Sequence, residues 1–156
     1  MFKYKLGSTA KDKLSGYQGT VVARMEWYHG CIRYVVQSPE LHEGKPVESQ
    51  SFDEEQVKVT KTPRSDVESN FTYELNSKVK DVVTGFTGRI TCRVQWLYGC
   101  NRYGVQSEEL KDGKPIDAVF YDEGMLQLLE AAKPHEMTRT GGTSITPPQH
   151  RTPPRH

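Results

Sequence analysis

Apolar and polar side chains alternate along two stretches of the chain, each placed directly after a Gly-aromatic-x-Gly sequence. A period of two is typical of a β-strand with one buried face. The predicted inward-facing residues are Val21, Ala23, Met25 and Trp27 in the first stretch and Ile90, Cys92, Val94 and Trp96 in the second. The residues between them, including Arg24 and Arg93, are therefore predicted to face outward.

The two stretches belong to one unit that is written twice. Residues 6–60 align without a gap with residues 75–129, at a constant spacing of 69 residues (75 − 6). Roughly 22 of about 55 aligned positions are identical, which marks an internal repeat. Side chains that both copies keep are the ones that the shared fold or a shared surface most needs.

A tight turn with a glycine, Gly30 or Gly99, ends each alternating stretch, and glycine supplies the positive φ of hairpin turns. A two-residue turn there predicts the pairing of the following strand by counting. Met25 is placed opposite Tyr34 on the inner face, and Glu26 opposite Arg33 on the outer face. Apolar residues then meet apolar residues on the inner face in both copies.

Turn signals in each copy separate five short runs with strand patterns, and no helical period of useful length occurs. The chain is therefore predicted to be all-β, with two tandem small five-stranded barrels. The predicted domains are residues 1–60 and 72–131, joined by a turn-rich linker at 61–71. Residues 132–156 are rich in proline and threonine, with Thr-Pro-Pro occurring twice, and are predicted to be a disordered tail.

The composition narrows the class of protein. The formal net charge is +1 without a visible basic stripe, which disfavours bulk nucleic-acid binding. The N-terminus lacks the apolar run of a signal peptide, no stretch approaches about 18 apolar residues, and the three cysteines are an odd number. We therefore expect a cytoplasmic protein without a membrane partner. A copy of about 55 residues has a thin core, so packing of the copies or homo-oligomerisation is expected.

Residues 79–88, which contain Gly85-Phe86-Thr87-Gly88, resemble the opening of a KOW-type or SH3-like barrel, with a strand, a glycine turn and a second strand in this order. The whole copy resembles small uncharacterised proteins of tailed phages through Tyr98-Gly99-Cys100, Asp112-Gly113-Lys114, Tyr121-Asp122-Glu123 and the tail's Thr140-Gly141-Gly142. The resemblance implies SH3-like barrels and a protein that acts in the cytoplasm of a host cell.

Catalytic and metal sites are not indicated. Cys31 and Cys100 follow the turn glycine in both copies, but His29 beside the first is replaced by a tyrosine in the second. No Cys-x-x-Cys or other zinc spacing occurs. Asp53 and its equivalent are interpreted as caps of a short helical turn, and the two tryptophans as structural residues at the core side of a strand. No enzymatic activity and no cofactor are predicted.

Several polar residues that both copies keep have no obvious architectural role, and they form the predicted ligand-binding site. This site comprises Arg24, Arg33, Gln37, Arg93, Arg102 and Gln106, with the turn aromatics Tyr17 and Phe86 as a further candidate surface. Arginines near aromatic residues suit a phosphate and base, or an acidic protein surface. The alternative is a solvated face held by a Glu26–Arg33 pair, but Gln95 replaces that glutamate in copy two.

The sequence thus predicts a non-enzymatic binding protein, and the resemblance to tailed-phage proteins implies that it is host-directed. Its partner would be an anionic nucleotide-like ligand that it sequesters, or a host defence protein that it blocks. A KOW-like nucleic-acid-binding module and a virion or assembly component are the alternatives.

Overall fold

The computed structural model describes residues 2–66 and 70–133, and it confirms the all-β prediction. Most of the predicted tail, residues 134–156, lies outside the described residues. The first repeat contains β1 (Thr9–Asp12), β2 (Gln18–Trp27), β3 (Ile32–Gln37), β4 (Leu41–His42), β5 (Lys45–Pro46), β6 (Gln50–Asp53) and β7 (Val57–Lys61). The second contains β8 (Lys78–Asp81), β9 (Thr87–Trp96), β10 (Arg102–Gln106), β11 (Leu110–Lys111), β12 (Lys114–Pro115), β13 (Val119–Asp122) and β14 (Leu126–Glu130).

Both repeats have the same antiparallel topology. The order of hydrogen-bonded strands is β6-β3-β2-β1-β7 in the first and β13-β10-β9-β8-β14 in the second. A 3-10 turn, Glu54–Gln56 or Glu123–Met125, connects the two edge strands, and β4-β5 and β11-β12 form small separate ribbons. Within the described residues no ladder joins the two edge strands of a repeat, so neither unit is a closed hydrogen-bonded barrel.

Each repeat has its own small core. The buried residues are Leu6, Ala10, Val21, Tyr34, Val36 and Val57 in the first and Val79, Ile90, Tyr103, Val105 and Leu126 in the second. Burial of one such aliphatic side chain contributes about 1.5–3 kcal/mol. A core of five or six residues is thin, as the length of the repeat led us to expect.

A buried tyrosine secures the N-terminal segment of each repeat. The Tyr34 hydroxyl donates to Glu54 Oε2 at 2.6 Å and accepts from the backbone N–H of Lys3 and Tyr4 at 3.0 and 3.1 Å. Tyr103 makes the same contacts with Glu123 and with the backbone of the second repeat. The interpretation of Asp53 as a helix cap is wrong, because its side chain makes no capping hydrogen bond; the adjacent glutamate has the structural role.

A β-bulge changes the phase of the long strand β2. The pairing with β3 shifts between Val21 and Ala23, so that Arg24 lies opposite Tyr34 and Met25 opposite Arg33. The predicted register, with Met25 opposite Tyr34, is wrong by one residue because the turn has three residues, not two: the Trp27 N–H donates to the carbonyl of Cys31 at 2.9 Å. The bulge acts on the far side of this pair, where it reverses the faces relative to Val21. Because one extra residue exchanges the two faces of a strand, Arg24 points to the side of the core. The prediction that it faces outward is wrong, and only 6% of the residue is exposed.

The two repeats join through the same strand of each. The second half of β2 pairs antiparallel with the second half of β9, and Met25 lies opposite Val94, its own equivalent. The repeats are thus related by a pseudo-two-fold axis at this pair. A third apolar cluster, which contains Ala23, Val35, Cys92 and Val94, lies at this junction.

Candidate functional site

The predicted site residues Arg24 and Arg93 lie on the core side of the junction between the repeats. Arg24 Nε donates to Gln95 Oε1 of the other repeat at 2.9 Å, and its Nη1 lies 2.9 Å from Asp66 Oδ2 in the linker. Arg24 is therefore buried and occupied by contacts within the chain.

Arg93 makes the equivalent contact in the opposite direction. Its Nε and Nη2 donate to Glu26 Oε2 at 3.0 and 2.9 Å, and Nη1 lies 3.4 Å from Glu74 Oε2. Glu26 and Gln95 occupy equivalent positions, so each arginine reaches across the axis to the same position of the other repeat. The structure assigns both arginines to the junction.

Two phenylalanines complete this side of the junction. The guanidinium of Arg24 lies 4.7 Å from the ring centroid of Phe2, and that of Arg93 lies 4.6 Å from Phe71. The two rings are 6.4 Å apart. Phe2 and Phe71 are equivalent residues, but each lies four residues before the aligned region. The comparison of the copies missed them for this reason.

The opposite side of the same strands forms one surface across both repeats, because six strands run side by side in the order β6-β3-β2-β9-β10-β13. We call it the composite face. Its central row is Asp53, Arg33, Met25, Val94, Arg102 and Asp122. Its outer rows are Ser51, Val35, Ala23 and Trp96, and Trp27, Cys92, Gly104 and Phe120. Directly paired residues share a face, so these side chains are neighbours.

The predicted site residues Arg33 and Arg102 lie on the composite face, and each has a carboxylate partner on the next strand. Arg33 Nε is 3.1 Å from Asp53 Oδ1, and Arg102 Nε is 3.0 Å from Asp122 Oδ1. The guanidinium groups also donate to backbone carbonyls of Ser51 and Phe120. The expectation that one of the arginines lacks a carboxylate is wrong. Both side chains keep about two fifths of their area exposed.

Gln37 and Gln106 fasten the small ribbons to the sheet. Gln37 Nε2 donates to the carbonyl of Val47 at 2.7 Å and to that of Ser38 at 3.0 Å. Gln106 Nε2 donates to the carbonyl of Ile116, the position equivalent to Val47. The structure thus places both glutamines at the base of a ribbon, apart from the arginines.

The turn aromatics of the predicted site, Tyr17 and Phe86, are partly buried. The Tyr17 hydroxyl donates to the carbonyl of Glu48 at 3.0 Å and accepts from the Ser38 N–H at 3.1 Å, and its ring packs on Phe52. Phe86 packs on Tyr121 with ring centroids 6.1 Å apart. These contacts give both rings a role in holding the turn.

The interpretation of the two tryptophans as structural residues fits Trp27, which packs against the apolar cluster at the junction, and is wrong for Trp96. Trp27 is partly buried and Trp96 is 38% exposed, both on the composite face. A largely apolar hollow beside Trp96 is lined by Val22, Leu97, Tyr98 and Arg102. Only the alternation of the strand indicated where the tryptophans lie, and the bulge changed that pattern.

Among residues 2–66 and 70–133, no group of three or more metal-ligating side chains is close enough to hold a metal ion. Cys31 and Cys100 are exposed, whereas burial raises the pKa of the Cys92 thiol to about 12, with a contribution from Glu26. Over the same residues no helix is long and apolar enough to cross a membrane.

Comparison with known proteins gives no relative from which a role could be transferred. No protein family model, no curated protein and no solved structure matches the chain. The chemistry of the composite face is therefore the basis for assigning a function.

Proposed function

We propose that the chain is a non-enzymatic binding protein and that a host protein docks on the composite face. The observation that supports this function is the symmetric arrangement of Trp27 and Trp96 with Arg33 and Arg102 on one surface across both repeats. Tryptophan and arginine are the residues most enriched where protein interfaces gain their binding energy.

The charges of the composite face favour a protein over a nucleotide. Its two arginines are each within ion-pair distance of an aspartate, so Arg33, Arg102, Asp53 and Asp122 together carry no net charge. A phosphate would have to displace a carboxylate from each guanidinium. A protein surface can instead contact the exposed aromatic side chains of the face and leave the ion pairs at its rim. The aliphatic residues Ala23, Val35 and Val94 are buried and support these side chains from below.

The dimensions also suit a protein partner. Six neighbouring strands span about 24 Å, since adjacent strands are about 4.8 Å apart. A standard interface buries about 800 Å² on each partner, which corresponds to a patch about 28 Å wide. The resemblance of the second copy to tailed-phage proteins supports a partner in the host cytoplasm, where the bound chain would block a defence protein.

The test is capture from a lysate of the host cell, followed by mass spectrometry of the bound proteins. Trp27→Ala combined with Trp96→Ala should lose at least about nine tenths of the captured partner. The matched control is Leu41→Ala with Leu110→Ala, because these leucines are 66% exposed and lie on the ribbons. A folded tryptophan variant that captures as much partner as wild type would exclude the composite face.

A further inference from the structure

The two repeats differ at one edge of the sheet. Strand β13 presents Val119 and Phe120, each 39% exposed, where the equivalent strand β6 has Gln50 and Ser51. Both strands end the row of six, and within the described residues neither pairs with a strand on its outer side. The second repeat therefore has an apolar open edge, and the first has a polar one.

An open strand edge presents unpaired backbone N–H and C=O groups to any extended chain. Proteins ordinarily protect such edges with charged side chains, proline or a covering element. The polar residues of β6 are consistent with that protection. In β13 the charge of Asp122 is compensated by Arg102, so the exposed part of the strand is apolar and close to neutral.

We propose that β13 is a pairing edge for a second copy of this chain. An antiparallel two-fold centred on Phe120 places this residue opposite itself and Val119 opposite Tyr121, so that apolar residues meet along the strand. The protein already joins its own repeats in this way, through β2 and β9 with Met25 opposite its equivalent Val94. With a formal net charge of +1, two copies do not repel each other strongly.

Pairing at β13 continues the sheet from one copy into the next. The row that runs from Trp27 through Cys92 and Gly104 to Phe120 would meet the same row of the second copy. Two composite faces would then lie side by side, and the dimer would be bivalent for a partner with two-fold symmetry. A four-residue strand buries less area than a standard interface, so the dimer is expected to form and dissociate with concentration.

Sedimentation velocity over a concentration series tests the dimer. The mass of wild type should rise from 17.8 kDa toward twice that value between about 10 µM and about 1 mM, the range expected for a small interface. The variant Val119→Gln with Phe120→Ser gives β13 the residues of β6. Circular dichroism must show that it is folded, because the Phe120 ring packs on Gly104, where the first repeat has Val35. The variant should remain monomeric, with dimerisation weakened by at least about tenfold.

The control is Leu129→Thr, which introduces the first repeat's residue at another exposed leucine, on β14. Its dimerisation should match wild type, and backbone amides of β13 should exchange more slowly as concentration rises. The proposal is overturned if the wild-type protein stays monomeric over the whole concentration range. This holds even if β13 then binds a strand of another protein. The proposal is also overturned by a Val119/Phe120 variant that dimerises like wild type. None of these results depends on the tryptophans, so the proposed function is tested separately.

Discussion

At the scale of single residues, the polar side chains that both repeats keep are explained by contacts within the chain. Arg24 and Arg93 cross the junction, Gln37 and Gln106 hold the ribbons, and Arg33 and Arg102 pair with aspartates. Comparison of the copies therefore identified residues that make specific contacts in both repeats, but it could not separate a structural role from a binding role. That separation required knowledge of which face each side chain occupies.

Replacement of the junction arginine Arg24 by alanine should destabilise the protein strongly. It removes this donor from Gln95 and this ion pair from Asp66, in a site where only 6% of Arg24 is exposed. We expect a loss of about 2–3 kcal/mol in the free energy of unfolding, measured by urea denaturation. The control is Arg33→Ala, at a residue whose side chain is 40% exposed, and it should lose less than about 1 kcal/mol. Equal losses would contradict the assignment of Arg24 to the junction.

The buried tyrosines Tyr34 and Tyr103 should limit stability at alkaline pH. Burial and the hydrogen bonds to Glu54 and Glu123 raise the pKa of both phenols. Because the ordinary pKa of about 10 applies in the unfolded state, stability from this effect is complete below pH 10 and falls as the pH rises above it. Absorbance titration should show these two tyrosines ionising only with unfolding, whereas the Tyr34→Phe, Tyr103→Phe variant should lack that coupled step.

At the scale of elements, the period-two pattern predicted the strands but not their faces. The alternation from Val21 to Trp27 looks continuous in the sequence, and the bulge after Val21 reverses the two faces from Ala23 onward. A bulge inserts one extra residue in the strand. The residue type does not reveal it here, since valine and threonine occupy the equivalent positions 22 and 91. The bulge is the reason why the prediction that Arg24 faces outward is wrong. Arg33 lies on the composite face, where it is partly exposed.

Two glycines are required by the close approach of neighbouring strands. A Cβ atom at Gly19 would lie 2.0 Å from the carbonyl oxygen of Gln37, and one at Gly88 would lie 2.3 Å from that of Gln106. Gly19→Ala should therefore reduce the free energy of unfolding by at least about 2 kcal/mol, because backbone atoms must move. Gly124→Ala is the control and should be nearly neutral, since its Cβ would meet open space. Thermal denaturation of both variants measures this difference, and equal melting temperatures would contradict the close approach at Gly19.

At the scale of the whole molecule, the sequence predicted two copies but not how they meet. The repeat spacing established the duplication, and the thin cores indicated that the copies pack on each other. The junction uses Met25, Val94 and the arginines, which the alternation had distributed between an inner and an outer face. The composite face could not be predicted because it exists only once β2 and β9 pair, and the pairing is set by both repeats together.

The junction should make the two repeats unfold as one cooperative unit, and Cys92 provides the measurement. Its thiol is fully buried at the junction and its pKa is raised to about 12, whereas Cys31 and Cys100 are exposed at hairpin turns. A thiol reagent at about pH 8 should modify two cysteines at once, and the third only through opening of the protein, because the thiolate is the reactive form. If the junction opens only when the repeats unfold, the rate of Cys92 modification in urea should follow the global free energy of unfolding.

The control, Cys31→Ser with Cys100→Ser, should show the slow phase alone. Rapid modification of Cys92 in the native protein would show that the repeats separate while folded, and the composite face would then form only transiently.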